Sequence, residues 1–148
     1  MSDVNAEPWN RKWSGNEIKD WNTGVIEEFR ANGGKVGGPY EGGKLLLLTT
    51  TGARSGKRHT VPLAYLTEGS RLIVSSLLGA AYPAWYHNLV AQRAVTIELG
   101  SLTFDATATV ITGEEREQLW AWVTQQWPLL VDHQTTTSLQ LPLVSLQR

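Results

Sequence analysis

The connections between the strand-like segments of this chain are too short for a parallel sheet. An apolar run at Lys44–Thr50 and an alternating run at Thr60–Thr67 are separated by nine residues, and Leu72–Ser76 follows after a four-residue turn. Later, Val95–Leu99 and Leu102–Ile111 are joined by only two residues. Parallel neighbours need a crossover of about a dozen residues or more. The segments are therefore predicted to pair antiparallel.

Three segments outside the strands carry helical patterns. The three predicted helices are about Asn16–Ala31, Tyr82–Gln92 and Gly113–Trp127. Apolar residues recur in the first and third at the spacing of one helix face, and Gly33-Gly34 supplies a stop for the first. Thr112 followed by Glu115 predicts a capping box at the start of the third. Helices and strands together place the chain in the α+β class.

The C-terminal segment "SLQLPLVSL", residues 138–146, alternates apolar and polar side chains. Proline cannot donate a hydrogen bond to a sheet ladder, and Pro142 lies inside this segment. We therefore predict an edge strand or an extended cover there. The whole pattern indicates one domain, residues 15–148, behind an N-terminal arm, residues 1–14. Its expected architecture is a small antiparallel barrel with flanking helices.

Composition argues against several classes of function. The net charge of −1 disfavours nucleic acid binding, which requires a clearly basic surface. Cysteine is absent and the three histidines have no carboxylate at a ligand spacing, so we expect no metal centre. The longest apolar run, Leu45–Leu48, is far too short to span a bilayer. We therefore expect a cytoplasmic protein. Trp9 and Trp13 could either pack onto the domain or make a weak contact with a membrane surface.

The residues between the first two strands, 51–59, form what we call the basic bridge. Arg54, Lys57 and Arg58 place three of the chain's 13 cationic side chains within five residues. Guanidinium and ammonium groups beside hydroxyl donors and a glycine can bind phosphate or carboxylate. A solvated polar turn is the alternative interpretation. The bridge is not a P-loop, because the Gly-x4-Gly-Lys-Ser/Thr order is absent and no helix follows.

Two further stretches admit more than one interpretation. Trp85 and Asn88 fall on one face of the second predicted helix, with His87 off that face, and they could frame a planar heterocycle or plug the core. The glycine-rich connector Gly33–Gly43 is either a flexible linker or a loop whose backbone approaches a ligand. No nucleophile elbow is recognisable. An enzyme built this way would depend on a cofactor for its chemistry.

These motifs, taken in order, resemble a known family. The stretches "LLLLTTTGARSGKRHTVPLAYL" and "LIVSSLLGAAYPAWYHNLVAQRAVTIELG" look like the deazaflavin-dependent nitroreductases, split β-barrel oxidoreductases of actinobacteria that use coenzyme F420. The similarity runs from about Gly33 to Gly113 in the family's order and spacing. The implied fold is a split β-barrel of the FMN-binding type with flanking helices.

The resemblance implies a role for each motif. The basic bridge would hold the phosphate and acidic oligoglutamate tail of the deazaflavin (8-hydroxy-5-deazaflavin). The strand beginning at Thr60 would line the ring, the strand end at Ser75 would face it, and Trp85 with Asn88 would close the pocket. The implied cofactor-binding residues are Arg54, Ser55, Gly56, Lys57, Arg58, His59, Thr60, Val61, Pro62, Leu63, Ser75, Ser76, Leu77, Leu78, Trp85 and Asn88.

The chain departs from the family pattern at three places. Leu77-Leu78 stands where many relatives carry a lysine, and Leu139 where an arginine is common. His133 lies near a position that is a tyrosine in relatives, which makes it the candidate catalytic residue, as a substrate-side polar group or proton donor. The tail differences concern the substrate side. Reduction of nitroimidazole prodrugs is therefore not implied, whereas cofactor binding is.

The implied activity is that of an oxidoreductase. Reduced F420 would transfer a hydride to an electron-poor small molecule such as a quinone, an enone or a nitro compound. Two alternatives stay open: a non-catalytic F420-binding or storage module, and an FMN-dependent split-barrel oxidoreductase. The basic bridge, suited to a polyanionic tail, favours F420 over FMN. A small-molecule substrate, no nucleic acid partner, and a monomer or homodimer complete the expectation.

Overall fold

The structure, a computed structural model, describes residues 15–37, 44–76 and 81–148, and side chains from Asp20 onward. The N-terminal arm predicted at residues 1–14 lies outside the described residues. The elements in chain order are α1 (Gly15–Ala31), β1 (Leu45–Thr51), β2 (Arg58–Ala64), β3 (Leu66–Glu68), β4 (Arg71–Val74), α2 (Ala84–Ala91), β5 (Ala94–Leu99), β6 (Leu102–Val110), α3 (Gly113–Gln126), α4 (Leu129–Gln134) and β7 (Val144–Gln147).

The seven strands form one antiparallel sheet in the order β2-β1-β5-β6-β7-β4-β3. Its two edge strands, β2 and β3, are consecutive in the chain and separated only by Tyr65, whose backbone N–H donates to Lys44 O at 3.3 Å. Since the edges are joined by one residue, the sheet must curl round. The result is a curled half-barrel with four helices, which confirms the predicted α+β split-barrel class.

The position of β7 corrects the prediction for the C-terminal segment. This strand is not an edge strand, because it pairs with β4 on one side and β6 on the other. Pro142 lies two residues before the strand begins and so interrupts no ladder. The proline marks the entry to an interior strand. The predicted single strand Thr60–Thr67 is also divided, since β2 and β3 pair with different partners.

Both faces of β1 are buried. Leu46 and Leu48 point into the half-barrel, whereas Leu45 and Leu47 pack outward against Val25 and Phe29 of α1, as alternation along a strand requires. The buried residues inside the half-barrel are Leu46, Leu48, Val74, Trp85, Leu89, Val95, Ile97, Ala106, Ala108, Val144 and Leu146. The buried residues beneath α3 and α4 are Ile73, Ile111, Leu119, Val123, Leu130, Leu141 and Leu143. Apolar side chains are therefore buried both inside the half-barrel and between the sheet and its helices.

Helix α3 does not begin with the predicted capping box. The side chain of Thr112 makes no capping hydrogen bond. Glu115 is drawn instead to Arg71, with Nη1 and Oε2 3.1 Å apart. That ion pair competes with the capping contact. The sequence reasoning also missed α4, whose six residues are too few to show a periodic pattern.

Helix α1 stops at Gly33-Gly34, as predicted. The N–H of Gly34 donates to Phe29 O at 2.8 Å, and both glycines have positive φ, +63° and +96°. A Cβ at Gly34 would lie 2.6 Å from the Cα of Gly100 in the turn between β5 and β6. Within the described part of the connector Gly33–Gly43, the close approach of the Gly34 backbone to Gly100 thus allows the end of α1 to pack on the sheet.

We expect Gly34→Ala to lower the free energy of unfolding by about 2–4 kcal/mol, because it combines backbone strain with a clash against backbone atoms. Gly33→Ala is the matched control. It also has a positive φ, +63°, but open space around the added Cβ, so only the conformational penalty of about 1–2 kcal/mol applies. Urea denaturation of both variants measures the difference. Equal losses would contradict the close approach of Gly34 to Gly100.

Three strands, β1, β6 and β4, run in the same direction, because each pair of neighbours in the sheet is antiparallel. The segments that follow these strands therefore leave from one end of the sheet, which we call the upper end. These segments are the basic bridge, the start of α3, and Ser75-Ser76. Residues 140–143 reach the same end before β7. No helix among the described residues is long and apolar enough to cross a membrane.

Candidate functional site

The loop of the basic bridge, residues 52–57, is held by its own hydrogen bonds. Gly52 N–H donates to Lys57 O at 2.7 Å, and Gly56 N–H donates to Gly52 O at 3.0 Å. The hydroxyl of Ser55 accepts from Lys57 N–H at 3.2 Å. A Cβ on Gly52 would collide with Ser55 Oγ and lie 3.1 Å from His59 Nε2. The loop is thus compact, and the N–H of Gly56 is used internally.

Asn88 of α2 fixes the loop to the core. Its Oδ1 accepts from the N–H of Ala53 at 3.0 Å, and its Nδ2 donates to Thr50 Oγ1 at 3.1 Å. Both Asn88 and Thr50 are buried. The predicted shared face of Trp85 and Asn88 is present, and it points inward. Asn88 therefore positions the basic bridge.

The three cations of the bridge differ in their partners. Arg58 is bound to neighbouring strands: its Nη1 donates to Thr51 Oγ1 at 3.0 Å and its Nη2 to Thr96 Oγ1 at 2.5 Å. The hydroxyl of Thr96 in turn donates to Asp105 at 3.2 Å. Arg54 and Lys57 are exposed, and neither side chain is paired with any described residue. These two cations are available to an anion.

The register of β2 divides the predicted ring contacts between two faces. His59, Val61 and Leu63 stand opposite Thr50, Leu48 and Leu46, whose side chains point into the half-barrel. Thr60 and Pro62 lie on the other face, where Thr60 Oγ1 is 2.8 Å from Thr49 Oγ1. A planar ring lying on one face of β2 would contact one set or the other. The sequence could not show this division.

Ser75 and Ser76 follow β4 at the upper end, both half-buried. The hydroxyl of Ser75 donates to Pro142 O at 2.5 Å, which ties this strand end to the segment before β7. The other two predicted residues of this motif, Leu77 and Leu78, lie outside the described residues. Their roles stay predictions.

The candidate catalytic residue, His133, lies in α4 and is half-buried. Its neighbour Gln134 accepts from Leu141 N–H at 2.9 Å and donates to Leu139 O at 2.8 Å. These bonds hold α4 against the segment that contacts Ser75 through Pro142. The role of His133 remains a prediction. Among the described residues, no group of three His, Cys, Asp or Glu could hold a metal ion.

The structure adds residues that the sequence reasoning missed. Arg116 is buried on α3, and its guanidinium carbon lies 5.1 Å from the centre of the Trp120 ring. Tyr82 and Tyr86 stack with ring centroids 4.5 Å apart, and Tyr82 OH donates to Gln140 O at 2.9 Å. One signal was present in the sequence: Arg116 shares the helical spacing of the apolar face of α3.

A curled antiparallel half-barrel is the fold of the split-barrel oxidoreductases, in which a bound cofactor supplies the chemistry. The family model of the F420H(2)-dependent quinone reductases matches residues 21–148. The chain belongs to this family.

Similar proteins agree with that assignment. An F420H(2)-dependent quinone reductase of Mycobacterium tuberculosis is 31% identical over 126 residues, which cover 81% of this chain and 85% of the relative. A solved F420-H2 dependent reductase, FDR-A, is 31% identical with a TM-score of 0.61, covering 70% of this chain and 94% of that chain. A structure described as a domain-swapped dimer is 28% identical with a TM-score of 0.65, covering 87% and 98%.

The family confirms the central predictions from sequence. The resemblance to F420-dependent split-barrel oxidoreductases, the enzyme class and coenzyme F420 as the cofactor are all confirmed. Neither alternative, FMN or a storage module, matches the family. Of the predicted acceptors, the family's description singles out quinones.

Proposed function

We propose that this protein reduces quinones with F420H2 and that the basic bridge binds the anionic tail of the cofactor. The observation that carries the proposal is the pair of exposed cations Arg54 and Lys57, which form no ion pair with any described residue and lie on a loop whose backbone is fixed by Asn88. A loop ordered before binding loses little entropy on binding. Because these two cations form no ion pair with a described residue, they can bind phosphate and carboxylate groups without breaking one.

The residues present fit such a cofactor. When bound, reduced F420 supplies a hydride, and the protein supplies position and electrostatics. Arg54 and Lys57 would contact the anionic tail, while Arg58, through Thr51 and Thr96, would hold the strands beneath the loop in place. Ser75 and Ser76 stand at the same end of the sheet and would face the ring. Edge strand β2 would contact the ring through one of its two faces.

Anaerobic mixing of the purified protein with F420H2 and menadione tests the function. We expect the absorbance of oxidised F420 to appear with multiple turnovers, at a rate proportional to enzyme concentration and above the rate without protein. A nitroaromatic acceptor in a parallel assay measures how far the activity extends beyond quinones. Binding of F420 without turnover on any quinone would instead indicate a storage module.

A titration with FMN is the matched control for the cofactor. Tryptophan fluorescence should be quenched by F420 at concentrations at which FMN has little effect, because FMN lacks the polyanionic tail. Tight FMN binding without F420 binding would overturn the proposal. We further propose a cytoplasmic monomer or homodimer, which light scattering during size-exclusion chromatography would distinguish.

A further inference from the structure

Arg116 is a buried cation that forms no ion pair with a described carboxylate. The residue as a whole is only 8% exposed. Its guanidinium stacks on the ring of Trp120. Burial lowers the pKa of the guanidinium, while the nearby phenols of Tyr82 and Tyr86 oppose that shift. Arginine remains charged nonetheless, so this largely buried positive charge has no carboxylate partner among the described residues.

A cavity of about 330 Å³ adjoins this charge. Its lining residues are Thr112, Gly113, Arg116, Glu117, Trp120 and Gln140. The volume is at the lower end of the range for small-molecule sites and suits a ligand of one or two rings. Trp120 contributes an aromatic side chain to the lining, and the Arg116 guanidinium over its ring provides planar donors. The cavity thus combines the features that recognise a flat molecule with an oxygen at its edge.

Hydrogen bonds of the segment before β7 link the cavity to the predicted cofactor site. Gln140 is two residues from Pro142, whose carbonyl accepts from Ser75. Gln140 O also accepts from Tyr82, at the entry to the helix that anchors the basic bridge. Since β6 and β4 end at the same end of the sheet with only β7 between them, the start of α3 and the end of β4 both lie at that end.

We propose that this cavity binds the electron acceptor, with Arg116 donating hydrogen bonds to a quinone oxygen, and that the site stabilises negative charge on that oxygen. This inference rests on the proposed function. On accepting a hydride, a quinone becomes a hydroquinone monoanion and then takes one proton from solvent. The reduced deazaflavin is oxidised as it loses that hydride together with one proton to solvent. A buried cation that is already in place stabilises the negative oxygen at no cost in reorganisation.

Direct binding tests the site without turnover. The probe is 2-hydroxy-1,4-naphthoquinone, an anion at neutral pH, and its neutral counterpart of nearly equal size is 2-methoxy-1,4-naphthoquinone. We expect calorimetry on the cofactor-free protein to show tighter binding of the anion, by about tenfold. Arg116→Met, which keeps the apolar stem, should remove that preference. Arg116→Lys should retain part of it, because the charge remains and the planar fork is lost.

Glu117→Gln is the control on the same cavity. Glu117 is an exposed carboxylate in the lining, so its neutralisation should strengthen anion binding about twofold. Equal binding of the two naphthoquinones to the unaltered protein would overturn the inference, as would an Arg116→Met variant that keeps the preference. If Arg116→Met does not fold, the comparison of the two probes and the Arg116→Lys variant still decide the question.

A kinetic arm separates this inference from the proposed function. With Arg116→Met we expect kcat/KM for menadione to fall about tenfold or more while the affinity for F420 is unchanged. A protein that oxidises no F420H2 with any quinone would contradict the proposed function itself. Normal turnover by the unaltered protein and an equal kcat/KM in the variant would contradict only the role of Arg116.

Discussion

Replacing Arg54 and Lys57 together with alanine is expected to weaken F420 binding about 100-fold. Each charge-assisted contact contributes about 1.5–3 kcal/mol, and about 1.4 kcal/mol corresponds to a tenfold change in Kd. The affinity of the unaltered protein should fall as salt is added, because both cations are exposed and screened. The double variant should respond much less to salt. Fluorescence titration with F420 at low and high ionic strength measures both effects.

The control removes the same charge elsewhere. Lys35 and Lys44 are exposed, and Lys44 stands at the opposite end of β1 from the basic bridge. The double variant Lys35→Ala/Lys44→Ala should keep the affinity for F420 within about twofold, since distant exposed charges are screened. If the control loses as much affinity as the bridge variant, the attraction comes from the net charge and the tail-binding role of the bridge is wrong.

Asn88→Leu should reduce the free energy of unfolding by about 2–3 kcal/mol and also weaken cofactor binding. The leucine fills nearly the same volume but leaves the buried hydroxyl of Thr50 without its partner, at about 1–3 kcal/mol, and removes the part-buried hydrogen bond to the N–H of Ala53. The loop would then have to be ordered when the ligand binds. Thermal unfolding and F420 titration of the same preparation measure the two effects.

Asn32→Leu is the comparison for this variant. Asn32 is exposed at the end of α1, where its Nδ2 donates to Glu28 O at 3.0 Å. Loss of a solvent-exposed bond of this kind should change stability by less than about 0.5 kcal/mol. A variant Asn88→Leu that is as stable as the unaltered protein would show that Asn88 does not anchor the bridge.

Local patterns in the sequence predicted most of the elements. The segment Leu102–Ile111 predicted from sequence corresponds closely to β6, although Leu102 at its start is 59% exposed. The two glycines after α1 gave its end. Pairing across long separations could not be obtained in this way. The prediction of an edge strand at residues 138–146 is wrong, because the sequence does not show that the paired residues of β7 begin two positions after Pro142.

The candidate site could be predicted only in part, because contacts across long separations are again not visible in the sequence. The cations of the bridge were evident, because they cluster within a few residues. Their different partners were not, since Arg58 contacts Thr96 across 38 positions and Asn88 contacts Ala53 across 35. The burial of Arg116 depends on how α3 and residue 140 pack. A single charged residue on an apolar helix face gives no indication of the cavity beside it.

The interior position of β7 has a consequence for how the chain is made. Until residues 144–147 are in place, the sheet consists of two pieces, β2-β1-β5-β6 and β4-β3, with the facing edges of β6 and β4 unpaired. Such edges can pair with other chains. During synthesis the half-barrel can close only once residues 144–147 have been made, and until then the edges of β6 and β4 stay open to such pairing.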